Sequence, residues 1–140
     1  MNTTSTPLQG DELPDVFNNL DKHPRAHLAH LPTRLEAMPN ITKQMKRANL
    51  YIKRDDCTGL GMGGNKARQL EFYFGEARAK KADTILITGA RQSNFARLTA
   101  AAARKLGMEC HIQIENRVAH PSPLYHHSGN VLLSRIYGAT

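Results

Sequence analysis

The chain has 140 residues, 40% of them hydrophobic and 22% charged, with 10 glycines and 7 prolines. That is room for one domain core or part of one, and it excludes a disordered, collagen-like or fibrous polypeptide. No apolar run reaches the roughly eighteen residues of a membrane span, and residues 1–10 lack the basic start and apolar stretch of a secretion signal, so a cytoplasmic protein with no membrane partner is expected.

The net charge is +7, yet Asp11, Glu12, Asp15 and Asp21 give residues 1–21 a charge of −4 and leave +11 to the remainder. Such an excess favours anionic ligands. With 6% aromatic residues, no tryptophan and no basic stripe interleaved with stacking rings, nucleic acid is not the expected one. Cys57 and Cys110 have neither metal-site nor disulfide-framework spacing, so free thiols are expected, with Cys57 as a packing residue.

Residues 1–30 read as a polar tail and irregular leader ahead of an α/β part at 31–140, and Pro7, Pro14, Pro24, Pro32 and Pro39 punctuate the first 49 residues. His23, His27 and His30 would share one face of a helix, as zinc ligands can, but no carboxylate pattern accompanies them and a solvent-facing leader explains them equally well. Leu50 to Lys53 has the texture of a short strand, and Arg54 to Gly64 is polar and then glycine-rich. Leu70, Tyr73, Phe74 and Ala77 recur at helical spacing within Lys66 to Lys81.

Thr84 to Thr88 is short, apolar and β-branched, which suits a strand covered on both faces and ended by Gly89. Ser93 or Asn94 can cap a helix that runs to Leu106 and stops at Gly107. Cys110 to Glu115 is the next strand, His120 to Ser128 a loop, and Asn130 to Tyr137 a helix ending at Gly138. The order β-α-β-α-β-α predicts right-handed crossovers and a three-layer parallel α/β arrangement of three strands, part of a domain.

The run Gly59-Leu60-Gly61-Met62-Gly63-Gly64-Asn65-Lys66 delivers a lysine to a helix start, and three chemistries compete for it. Gly59, Gly61 and Gly64 satisfy G-x-G-x-x-G with Asp83 about twenty residues on, as a Rossmann-like nucleotide-binding module would, but Arg54 to Thr58 separate the loop from its strand. A phosphate-binding P-loop fails because Asn65 follows Gly64 and Ala67 has no hydroxyl. In the third reading Lys66 is an imine-forming amine: unpaired N–H groups and the dipole at a helix start disfavour a further positive charge, and a neutral amine attacks carbonyls. An exposed helix-start lysine is the plainer alternative. Gln92-Ser93-Asn94 stands at the next strand-to-helix junction, where a hydroxyl, an amide and free N–H groups can seat a carboxylate, although capping alone would explain the serine. In an open parallel sheet both junctions should face one crevice.

Lys53-Arg54-Asp55-Asp56, Gly63-Gly64-Asn65-Lys66-Ala67-Arg68, Leu70-Glu71 and Gln92-Ser93-Asn94 with Arg97, Ala100 to Ala103 and Leu106-Gly107 resemble the D-cysteine desulfhydrase and 1-aminocyclopropane-1-carboxylate deaminase family. Pro32-Thr33, Glu115-Asn116 and Gly129-Asn130 extend the resemblance, which runs from about residue 30 to the end. It implies a pyridoxal 5'-phosphate enzyme of the tryptophan-synthase-β-like fold, with two α/β domains, a small amino-acid substrate and dimers in the full-length form. The chain would be its N-terminal portion, with the second half missing.

By the same resemblance Lys66 is the Schiff-base lysine and a proton carrier, Asn94 bonds the cofactor's ring hydroxyl, and Ser93 with the Asn94 backbone holds the substrate carboxylate. In the deaminase branch the resemblance implies that Ser93 or an external nucleophile takes part in cyclopropane ring opening. Gln69 stands where relatives carry a lysine that reaches the cofactor phosphate, and Phe95 where they carry His or Gln. A chain holding the lysine and the carboxylate seat without the phosphate cup is expected to be inactive by itself.

Overall fold

The computed structural model describes residues 19–46, 48–119 and 122–140; the polar tail before Asn19 and His120 lie outside the described residues. Among the described residues four strands and five helices follow in order: β1 (Leu35–Ala37), α1 (Pro39–Met45), β2 (Tyr51–Lys53), α2 (Ala67–Ala79), β3 (Thr84–Ala90), α3 (Asn94–Leu106), β4 (Glu109–Glu115), α4 (Pro123–His127) and α5 (Gly129–Ile136). Short 3-10 turns occupy Leu20–Lys22, Asp55–Cys57 and Leu60–Met62. Among the described residues no helix is long and apolar enough to cross a membrane.

The α/β arrangement with a parallel sheet is present, and its strands are β3 and β4, paired from Thr84↔Glu109 to Ala90↔Glu115. The expected first strand is elsewhere. Tyr51–Lys53 pairs antiparallel with Leu35–Ala37, in a separate two-stranded ribbon. All three β2 residues are exposed, which a surface ribbon tolerates and the centre of a parallel sheet does not. At the other edge Thr140 N donates to Cys110 O at 3.1 Å and Ile112 N donates to Thr140 O at 2.8 Å, so the main chain after α5 returns alongside β4.

Gly89 does not end its strand, which continues to Ala90. A Cβ on Gly89 would stand 3.1 Å from Ser93 Oγ, so the glycine serves close approach to the next turn rather than strand breaking. Nor is β3 covered on both faces: Leu86 is 77% exposed and Ile114 of β4 is 42% exposed. An apolar β-branched run looks the same whether one face or both are buried, which is why the sequence pattern does not separate the two cases.

Helix α3 is the centre of the packing. It lies on both strands of the parallel sheet and touches α2, α5 and the Leu60–Met62 turn. Its Ser93 cap accepts from Ala96 N at 3.2 Å, and Gly107 ends it with φ 72° in the left-handed region. Ala100 to Ala103 are buried, and short side chains there let neighbouring backbone come close.

The buried stripe of α2 is Ala67, Leu70, Glu71, Phe74 and Gly75. Tyr73, expected in that stripe, is 57% exposed, and a carboxylate and a glycine take its place. The reason is the leader. Ala26 and Leu28 are 1% and 2% exposed and belong to the core, and Ala26 N donates to Glu71 O at 2.8 Å.

A Cβ on Gly75 would meet Pro24 O at 2.1 Å. Glycine to alanine inside a helix ordinarily gains about 1 kcal/mol. Here the expected sign is reversed: Gly75→Ala should destabilise by about 2 kcal/mol by lifting the leader off α2, measurable as a lowered urea midpoint.

Candidate functional site

The glycine loop is built from its own backbone outward. Thr58 is fully buried, and its hydroxyl accepts from Gly64 N at 2.9 Å and lies 3.1 Å from Asp55 O and 2.9 Å from Gly64 O. Gly63 N donates to Leu60 O at 2.8 Å and Gly64 N to Asp55 O at 3.0 Å. These bonds close residues 55–64 into a compact turn that needs φ values of 82°, 49°, 74° and 138° at Gly59, Gly61, Gly63 and Gly64. The loop therefore follows a 3-10 turn, and the strand before that belongs to the antiparallel ribbon. The Rossmann-like reading fails on this context, since its fingerprint requires a parallel strand running straight into the glycines.

Where the loop ends, Lys66 is the half-buried N-cap residue of α2. Two residues on, Arg68 clamps the helix start: Nε donates to Asp55 Oδ2 at 2.9 Å and Nη2 to Asp55 Oδ1 at 2.7 Å. Arg68 Nη2 also donates to Thr33 Oγ1 at 2.8 Å, and Thr33 Oγ1 donates to Asp55 Oδ1 at 3.0 Å. The Arg68 hydrogen bond holds the Asp55 carboxyl below its ordinary pKa, against a smaller upward push from burial. Next to it, Arg54 bonds Asp56 and Glu36, and its hydrogen bond holds Asp56 down to about 2. The acidic pair after β2 is thus structural in what it touches.

At the second corner, the N–H groups of Asn94 and Phe95 occupy the first helical positions of α3, where no intrahelical acceptor exists. The Ser93 cap uses a lone pair of Oγ and leaves its proton to donate elsewhere. Gln92 is consumed by packing. Its Nε2 donates to Tyr125 O at 2.7 Å and Ser128 O at 2.9 Å, and its Oε1 accepts from Asn130 N at 2.8 Å. A Cβ on Gly129 would sit 2.7 Å from that Oε1, which explains the Gly129-Asn130 pair as the other half of a latch.

The two corners meet. Asn94 Nδ2 donates to Asn65 Oδ1 at 3.3 Å, so the residue before Lys66 lies against the start of α3. A Cβ on Gly64 would come 3.1 Å from Leu98 Cδ1, 3.7 Å from Arg97 Nη2 and 3.8 Å from Asn94 Nδ2, and Arg97 itself donates to the carbonyls of Gly61 and Gly63. Lys66, Ser93 and Asn94, separated by up to 28 positions in the chain, are on elements in direct contact. Together they present a primary amine, an amide, a hydroxyl and free main-chain N–H groups. Asn65 and Arg97 carry the family resemblance without an assigned role, because each acts through a partner far along the chain, and Thr58 was given none because its part shows only once the glycine loop closes on it.

Other candidates disperse. Residues 24–28 are not helical, so His23, His27 and His30 do not line one helical face, and all three are exposed. Cys57 is exposed rather than a packing residue, with Sγ 3.5 Å from Asp56 Oδ2, whereas Cys110 is buried and burial pushes its thiol pKa up. Phe95 turns into an edge-on contact with Tyr73 at 6.5 Å between ring centroids, and Gln69 lines a surface cleft with Leu20, Phe72 and Tyr73.

Residues 26–140 match the family model described as "Pyridoxal-phosphate dependent enzyme". The chain is 44% identical over 121 residues to a D-cysteine desulfhydrase of Klebsiella pneumoniae, a match covering 86% of this chain and 37% of the relative. It is 42% identical over 122 residues to a 1-aminocyclopropane-1-carboxylate deaminase of Rhizobium leguminosarum bv. viciae, covering 86% and 36%. The chain thus spans a little over a third of the length of these curated relatives. A crystal structure of an ACC deaminase homologue superposes with a TM-score of 0.77 at 40% identity, covering 91% of this chain and 37% of that one. On the family match across residues 26–140 and this shared fold, the chain belongs to the pyridoxal-phosphate dependent enzymes.

Proposed function

We propose that this chain builds the amine and carboxylate-binding corner of an enzyme acting on a small amino acid, with D-cysteine desulfhydrase activity, releasing pyruvate, sulfide and ammonia, or 1-aminocyclopropane-1-carboxylate deaminase activity in the whole protein. The contact between Asn65 and Asn94 carries the reading, because it sets the lysine loop and the α3 start side by side. The two relatives support the two activities about equally, at 44% and 42% identity.

The donor set fits pyridoxal phosphate at its aldehyde end. Bare backbone at Gly64 leaves open the space that a Cβ would fill between Leu98, Arg97 and Asn94, beside the amide that would hold the ring hydroxyl. Among the described residues no carboxylate pairs with Lys66, whose amine would hold the aldehyde carbon. When bound, the cofactor supplies an electron sink for the negative charge left at the amino acid's α-carbon.

The chain's own residues supply the rest. Ser93 Oγ–H and the N–H groups of Asn94 and Phe95 bind the substrate carboxylate, aided by the positive end of a 13-residue helix. That grip fixes the α-carbon relative to Lys66: in D-cysteine, whose α-carbon carries a hydrogen, Nζ would take that proton, whereas the α-carbon of 1-aminocyclopropane-1-carboxylate carries none and the same grip would present its ring for opening. At the neighbouring positions Gln69 offers an amide in place of a cation, and Phe95 is turned toward Tyr73, which leaves the carboxylate to Ser93 and the main chain.

Incubation with pyridoxal phosphate is expected to give a yellow adduct that borohydride fixes on Lys66, located by peptide mass mapping. Lys66→Ala should lose that site-specific label entirely while keeping the far-UV spectrum. Labelling spread evenly over surface lysines would refute the assignment.

A further inference from the structure

Arg97 stands in the first turn of α3, and only 6% of its surface is exposed. A cation is disfavoured there twice: burial strips its hydration, and the helix start beside it is itself positive. Among the described residues no carboxylate compensates it. The guanidinium instead donates to Gly61 O and, from Nη2 at 3.0 Å, to Gly63 O, while its Nε has no partner. Apolar contact between the same helix and the same loop is already provided by Leu98 and Ala101, whose side-chain atoms would lie 3.1 Å and 2.6 Å from a Cβ on Gly64 and Gly61. A buried ion replaced by an apolar residue is often neutral or stabilising, so adhesion alone gives no reason for a guanidinium here.

Its geometry gives one. Both acceptors belong to the loop that ends in Lys66, and the donor projects from the helix that begins after Ser93. We infer that Arg97 is a positioning residue whose two-carbonyl fork fixes the lysine loop against the carboxylate-binding helix start. A planar guanidinium spans two carbonyls, a lysine ammonium in its place serves one at a time, and a methionine serves neither. This deepens the proposed function and rests on it for the identity of the ligand, while the coupling of loop to helix stands on the two carbonyl contacts.

Arg97→Lys and Arg97→Met should be compared with the unsubstituted chain by amide hydrogen exchange and by the share of borohydride-fixed pyridoxal phosphate found on Lys66. In Arg97→Met, exchange at Gly63, Gly64 and Asn65 is expected to rise about tenfold or more with the β3–β4 ladder unchanged, and the Lys66 share to fall about tenfold. Arg97→Lys should fall between. An equal rise across β3 and β4 would mark a contribution to overall stability only and would overturn the inference, as would unchanged loop exchange. Should Arg97→Met fail to fold, Arg97→Lys decides by the same two readouts, and wild-type loop exchange in it refutes the claim. If the unsubstituted chain takes no label at Lys66, the proposed function falls, and the exchange comparison still judges Arg97.

Discussion

Glu71→Ala is expected to destabilise the fold by about 3 kcal/mol, lowering the thermal midpoint on the order of 10 °C. The Glu71 carboxylate is fully buried and accepts from Leu28 N and Ala29 N, each at 2.9 Å, through Oε1. Its Oε2 takes Arg25 Nε at 2.7 Å and Nη2 at 2.6 Å. Truncation leaves the buried Leu28 N–H without an acceptor and frees the leader from α2; Arg25, 37% exposed, recovers part of its loss by rehydration. Glu71→Gln should lose less, since one amide oxygen can still accept.

The same carboxylate sets a pH response. Burial raises its pKa, but the Ala29 and Leu28 N–H groups and Arg25 together outweigh that and hold it below the ordinary glutamate value. Stability from Glu71 is therefore fully present above the ordinary carboxylate range and is lost as pH falls below it toward the folded-state value. Thermal midpoints recorded between neutral pH and about pH 3 should drop steeply in the unsubstituted chain and more gently in Glu71→Ala. Parallel curves would contradict this account.

Gly63→Ala is the second large effect. Gly63 adopts φ 74°, ψ 174°, a region open essentially to glycine alone, and a Cβ there would lie 1.8 Å from Asp56 O. The loop must move, at about 3 kcal/mol or more, and the Lys66 label should be lost with it. Gly107→Ala is the control. That glycine also has a positive φ of 72°, but nothing lies within 4 Å of its Cβ position, so about 1 kcal/mol and no loss of labelling are expected. Equal effects of the two substitutions in denaturant titrations would contradict the steric account.

The elements easiest to read in the sequence were those whose signals are local. Ser93 as cap, Gly107 as stop and the apolar strands at Thr84 and Cys110 all stand near their expected places, because capping and strand burial depend on neighbours a few residues away. The meeting of the two corners was expected for a reason that does not hold: the strand before the glycine loop lies in the antiparallel ribbon, and the loop reaches the α3 start through the Asn94 bond to Asn65 and the Arg97 bonds to Gly61 and Gly63 instead of through a shared parallel sheet. What stayed hidden depends on distant partners. Glu71 looks like a solvent-facing helix glutamate until the leader folds over it, and Leu50 to Lys53 looks like a sheet strand until Leu35–Ala37 is found beside it. Capping leaves the glutamine of the Gln92-Ser93-Asn94 run unexplained until its side chain is seen to answer to Tyr125, Ser128 and Asn130.

The contrast between the two sulfur atoms has a practical consequence. Cys57 is exposed and Cys110 is buried, so a maleimide dye offered to the native chain attaches at a single place, within the Asp55–Cys57 turn that leads into Thr58 and its bonds to Gly64. Emission from that fluorophore would then follow the glycine segment in real time as small molecules arrive, with no engineered handle required.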